Sequence, residues 1–268
     1  MKITRTMRLS VLLLALAAIP RQLASQEPKE RPTRTKMVLL GTGTPVPDPD
    51  RSGPATAIVV DDSAYLVDFG PGVVRRAEAA VLSRGITAIE PGNLKVAFVT
   101  HLRSDHTAGY SDLIFTGWTA GRRAPLQMYG PAGLQSMTEH ILQAYRIDIE
   151  TRTNSEGNQR AIAEGSKVNV HEIKPGVIYK DANVTVTAFA TKHAMESYGY
   201  RFDTPDRRIV ISGDTILCRR PSRLVMAVLF WSPLFCDEVP YNYGTARGTC
   251  DQSQAEIARC LSHGEFPS

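Results

Sequence analysis

The stretch Thr100-His101-Leu102-Arg103-Ser104-Asp105-His106 constrains this chain more than any other part of it. It follows directly on a buried-type apolar run, residues 96–100, so two imidazoles and a carboxylate gather in a loop at a strand's carboxyl end. Such a set suits a borderline cation such as zinc, which takes nitrogen and carboxylate ligands. Two further groups are placed in the same way. His193 follows a strand read over 184–190, and Asp214 follows one read over 208–212. A lone histidine is usually an ordinary core or surface residue, but five potential ligands that each sit just past a strand point to a metal site.

The rest of the chain alternates strand and helix signals. Strands are expected over 55–60 and 64–68, joined by a tight turn at Asp61-Asp62, with Gly70-Pro71-Gly72 ending the second. Helical spacing follows over 73–82, then around 108–118 and 134–145, and the polar stretch 151–165 reads as a surface excursion. Further strands are expected over 167–173, 177–179, 184–190, 198–202 and 208–212. Strands dominate and helices are interleaved singly, so the expected class is α/β (α+β): a sandwich of mixed sheets with helices outside, rather than a dinucleotide-binding sheet. Gly41-x-Gly43 lacks the following helix of a nucleotide fingerprint and reads as a turn.

Charge at first suggests an acidic partner, because the formal net charge is +4 and the pI about 8.9. All of that excess lies in residues 1–25, in Lys2, Arg5, Arg8 and Arg21, leaving 27 basic and 27 acidic residues beyond them. The body thus shows no global footprint for nucleic acid. A basic start, an apolar stretch from Leu9 to Ile19 and small residues at Ala24-Ser25 read as a signal peptide, which implies a periplasmic or secreted location. Residues 26–36 then read as a linker, and no later stretch is long enough for a membrane span. The four cysteines, Cys218, Cys236, Cys250 and Cys260, all fall after residue 217 at spacings that match no zinc or redox motif.

Several motifs in order carry a resemblance to a known family. They are Gly41-Thr42-Gly43-Thr44-Pro45, Arg51-Ser52-Gly53-Pro54-Ala55-Thr56, Tyr65-Leu66-Val67-Asp68-Phe69-Gly70-Pro71-Gly72, the histidine loop, His193 with Ser197-Tyr198-Gly199-Tyr200, and Ser212-Gly213-Asp214-Thr215. Over residues 37–215 the chain resembles the metallo-β-lactamase superfamily, in the branch of ribonuclease Z-like phosphodiesterases and metal-dependent arylsulfatases. The resemblance implies an αββα sandwich and one or two zinc ions. It implies that His101 and His193 hold one metal, that Asp105 and His106 hold a second, and that Asp214 bridges them. A metal-bound hydroxide would attack sulfur or phosphorus, with Asp105 orienting it or accepting its proton. Asp68 would steady the loop or cap the strand end, and Tyr200 would line the cleft, although strand propensity alone accounts for that tyrosine.

Together with the leader, the resemblance favours an exported hydrolase of sulfate or phosphate esters, acting on a small-molecule ester with no nucleic acid expected. Two departures stand against full activity. Position 103 is arginine where the family has histidine, and a guanidinium offers donors only, so it cannot ligate a cation. Arg103 either disables the first metal site, leaving a metal-deficient relative, or binds sulfate or phosphate. The resemblance also stops soon after Thr215, and residues 216–268 read as an aberrant or incomplete end, for which a frameshift is the expected cause. His263 is the one histidine left there as a possible ligand.

Overall fold

Two β-sheets pack face to face, and the histidine loop lies at the strand ends of the first. The computed structural model describes residues 33–154, 162–215 and 225–231, the last as a backbone strand. In the first sheet six strands run in the order β1 (Thr35–Gly41), β2 (Ala55–Val60), β3 (Ser63–Val67), β4 (Val96–Phe98), β5 (Leu126–Gly130) and β6 (Val168–Glu172). The β1–β2 and β2–β3 pairs are antiparallel, and β3 through β6 are parallel. The second sheet is antiparallel throughout and orders five strands as β11 (Val225–Trp231), β10 (Arg208–Thr215), β9 (Tyr198–Asp203), β8 (Thr185–Ala190) and β7 (Gly176–Lys180).

Period-two alternation explains the layering. In β2, Ala55, Ala57 and Val59 face one apolar cluster while Ile58 and Val60 face another. The first cluster lies under the helices α1 (Val73–Arg84), α3 (Tyr110–Thr119) and α4 (Leu134–Ala144), against Val73, Ala77, Leu113, Ile114 and Leu134. The second fills the space between the sheets, where Phe98 meets Tyr200 and Phe202 at ring-centroid distances of 5.5 Å. Because both faces of β2 and β3 are buried, these two strands read as nearly continuous apolar runs. The metallo-β-lactamase sandwich expected from the sequence is the fold observed, with its helices against the outer face of the first sheet among the described residues. No helix among the described residues is long and apolar enough to cross a membrane.

Local readings needed four corrections. The helical pattern around 108–118 is α3, but the loop read over 101–106 also holds a short helix, α2 (Ser104–Thr107), set apart from α3 where the Gly109 N–H donates to Phe69 O at 2.9 Å. The supposed surface excursion begins as helix α5 (Arg146–Asn154), held by the Arg146–Glu150 and Asp148–Arg152 ion pairs one turn apart rather than by burial. Strand β5 was unforeseen: Leu126 and Met128 alternate with Gln127 and Tyr129 over too few residues to register, and its parallel neighbours decide it. The segment read as a linker also gives up its end to β1, where Thr35 and Lys36 pair with Val60 and Val59. The signal-peptide reading (1–25), all four cysteines and His263 lie outside the described residues. Of the end read as aberrant, residues 225–231 form β11 and the remainder also lies outside them.

Candidate metal centre

The parallel pairing of β3 with β4 brings two chain-distant residues together. It sets Val67 beside Phe98, so Asp68, one residue past its pair, and Thr100, two residues past, meet at the carboxyl ends of the strands. Asp68 takes a left-handed backbone (φ 58°), which a short polar residue tolerates, and its N–H still donates to Phe98 O at 2.8 Å. Its buried carboxylate accepts from Thr100 N at 2.8 Å and from Thr100 Oγ1 at 3.1 Å, and it lies 2.9 Å from His106 Nδ1.

These contacts assign the imidazole tautomers. A carboxylate only accepts, so the Thr100 hydroxyl proton goes to Asp68, and Thr100 Oγ1 must accept from His101 Nδ1, 3.0 Å away. His101 therefore presents a bare Nε2, and that buried atom has no hydrogen-bond partner among the described residues. His106 likewise gives its Nδ1–H to Asp68 and turns Nε2 toward Asp214 Oδ1 (3.5 Å) and Asp105 Oδ2 (3.7 Å). One carboxylate thus orients both imidazoles, the arrangement that makes histidine a fixed ligand. Thr100, the relay in this arrangement, was missed in the sequence; a hydroxyl directly before the first histidine was the available signal.

Asp214 arrives from the other sheet. The β10–β11 register shifts between Ile211 and Asp214, and Gly213 turns through φ 61° to bring the chain against Thr100. A Cβ at Gly213 would stand 2.8 Å from the Thr100 side chain, so only glycine permits the approach. Gly70 has a similar function, since a Cβ there would meet Asp105 O at 2.5 Å where the histidine loop lies on the β3 end. The result is one group, His101, His106 and Asp214, with ligand atoms all within 4.8 Å of one another. His193 adjoins it, its ring 4.5 Å from that of His101, and its buried Nε2 is also unpartnered among the described residues. Asp105 borders the group beside His106.

Orphaned buried imidazole nitrogens facing a carboxylate fit a cation, and the donor set provides for one.

Electrostatics separate the two central histidines. Burial, with help from the neighbouring His106, drives His101 down to about 4, keeping it neutral. Burial also opposes charge on His106, but Asp68 and Asp214 outweigh it and carry that ring up to about 10. Burial and the Arg103 charge lower His193, while at Asp214 the histidines overcome burial and hold the carboxyl below its usual range. Zinc added to metal-free protein at pH 8 therefore has to displace the His106 proton. We expect release of about one proton per cation and an affinity that climbs with pH until about 10, read by titration in weakly buffered solution with a pH indicator. Zinc uptake without proton release would show that His106 is already neutral.

The remaining candidates divide. Asp68 touches Thr100 and His106 at the two ends of the loop. Tyr200 does not line a cleft: it is fully buried between the sheets, and its hydroxyl donates to Val99 O at 2.5 Å, supporting the strand that leads into the histidine loop. Arg103 sits at the start of α2, half-buried at the edge of the group. His140 is exposed on α4, and His171 is exposed at the end of β6.

A mixed sheet packed on an antiparallel one, with histidines and aspartates gathered at the strand ends, defines a hydrolase scaffold fit to hold a metal ion. The profile of the Beta-lactamase superfamily domain matches residues 64–229, and the chain belongs to that superfamily, as a ribonuclease Z-like member. It is 35% identical over 188 residues to a ribonuclease Z of Mycobacterium bovis (strain BCG / Pasteur 1173P2), which covers 68% of this chain and 64% of that one. A ribonuclease Z of Mycobacterium sp. (strain KMS) is 36% identical over the same length of 188 residues, covering 62% of the relative. The chain thus spans slightly less than two thirds of the length of these relatives. Among solved structures the short form of human tRNase Z aligns with a TM-score of 0.52 at 24% identity, over 66% of this chain and 68% of that one, and supports the fold.

The ribonuclease Z relatives overturn two expectations: an exported hydrolase of small sulfate or phosphate esters, and the exclusion of nucleic acid. The physical error lay in reading recognition from net charge. Net charge describes the far field, whereas a phosphodiester is engaged by a few groups at one site.

Proposed function

We propose that the chain is a metal-dependent phosphodiesterase that cleaves RNA. The single observation that carries the chemistry is the pair of buried, unpartnered Nε2 atoms of His101 and His193 beside the His106–Asp214 contact. Support for RNA as the substrate class comes from the ribonuclease Z relatives at 35–36% identity. His101, His106 and Asp214 would hold the cation, with His193 adjoining, and imidazole with carboxylate favours zinc. When bound, the cation supplies positive charge for the phosphoryl oxygens and acidifies water.

The residues of the chain do the rest. Asp68 and Thr100 hold the imidazoles in the ligating tautomer. Asp105, at the edge of the group, accepts the proton of the water that attacks phosphorus. A new P–O bond forms as the bond to the leaving ribose oxygen breaks, and that oxygen takes up a proton from solvent.

The test is a panel of labelled RNAs that includes a tRNA transcript. Cleavage is expected with zinc-loaded protein, should vanish on chelation and return with zinc. Asp105→Ala should retain its metal and lose at least about 100-fold in rate. Failure to cleave any RNA with a full complement of metal would overturn the proposal.

A further inference from the structure

Arg103 occupies the centre of the histidine loop, yet its side chain has no role in the structure described so far. Its backbone is fixed by the turn that presents the ligands: Arg103 O accepts from His106 N at 3.1 Å and from Thr107 Oγ1 at 2.9 Å. The side chain is half-buried and forms no hydrogen bond or ion pair among the described residues. The carboxylates of Asp105 and Asp214, which line the same group, engage His106 and not Arg103. The arginine's charge nevertheless reaches the site, because it is felt at His193. Among the described residues there is one compact set of ligand atoms, and Arg103 lies in the same loop as two of its three members, His101 and His106.

We propose that Arg103 is the phosphate-binding residue of this site, its guanidinium acting beside a single cation held by His101, His106 and Asp214 in place of a second one. A partly buried guanidinium without a carboxylate partner carries a desolvation cost that a phosphate offsets. Its planar fork matches two oxygens of a phosphodiester, which a point charge does not. A fixed positive group beside the cation also neutralises charge on the phosphoryl oxygens without needing a second set of ligands. The proposal rests on the phosphodiesterase reading above, and its test is separable from it.

Two measurements on the full chain decide the matter. Metal analysis after zinc loading and gel filtration should give about one equivalent in wild type and in Arg103→Ala alike. Titration of the zinc-loaded proteins with inorganic phosphate, followed by 31P line broadening, should show affinity falling at least about tenfold in Arg103→Ala and only partly recovered in Arg103→Lys, which keeps the charge and loses the fork. Arg103→Gln, which keeps the stem and removes the charge, gives the same readout should the alanine variant fail to fold. Unchanged phosphate affinity in the alanine and glutamine variants, or two equivalents of zinc in wild type, would overturn the inference. Arg103-dependent phosphate binding without cleavage of any RNA would leave it standing and remove the RNA reading instead.

Discussion

Replacing Asp68 with asparagine should lower the affinity for zinc by about 10–100-fold while the fold survives. The amide oxygen can still accept from Thr100 N, so the β3–β4 junction keeps its main contact. The amide nitrogen, however, would point donor hydrogens at His106 Nδ1, where a carboxylate oxygen now lies 2.9 Å away. The ring must then accept at Nδ1 and carry its proton on Nε2, the atom that faces Asp214. A protonated Nε2 cannot ligate. Asp68→Ala is the harsher change, since it leaves a buried imidazole without its counter-charge and should cost about 3–5 kcal/mol of stability as well. Zinc competition with a chromophoric chelator and urea denaturation separate the two effects. Wild-type zinc affinity in Asp68→Asn would show that this carboxylate does not set the tautomer.

Arg122→Ala should lose about 3–5 kcal/mol, far from the metal centre and with no change in the metal bound. Arg122 is fully buried, and its guanidinium donates to four carbonyls: Leu94 and Leu113 through Nη1, Ile114 and Gly165 through Nη2. It thereby ties α3 to the segment before β4 and to the residues that lead into β6. Burial lowers its pKa to about 10, so it remains charged at neutral pH, and the carbonyl dipoles take the place of a counter-ion. Alanine removes all four bonds and leaves a cavity, whereas methionine fills most of the volume without donating. If packing dominates, Arg122→Met recovers most of the loss; if the charge-assisted bonds dominate, it recovers little. A methionine variant as stable as wild type would show that the desolvation cost cancels the bonds.

Legibility followed the range of the interactions involved. Strand β2 was read within its observed bounds because both of its faces are buried, and a continuous apolar run flanked by turn residues is a local signal. Helix α1 was visible through another local signal, helical spacing over 73–82 that begins just after Gly72. Strand β5 and the α2–α3 break were not visible, since each depends on a partner far away in the chain: β4 and β6 for the one, Phe69 O for the other. Tyr200 shows the limit for side chains. The alternation of β9 places it on one face of a sheet, but whether that face meets solvent or the other sheet is a property of the packed sandwich. The substrate reading failed for a related reason, because composition sums over the whole chain what a site does with a handful of groups.

By itself the sequence determined the superfamily, the strand-end placement of the histidines and aspartates, and the presence of an arginine that cannot ligate. These follow from residue chemistry and from periodicities that act within a few positions. The tertiary structure alone decided which of those residues meet. Parallel pairing of β3 with β4 joined Asp68 to Thr100 and His106, and the left-handed turn at Gly213 carried Asp214 across from the other sheet. Hydrogen-bond directions fixed by that packing then settled which imidazole nitrogen is free to bind a cation.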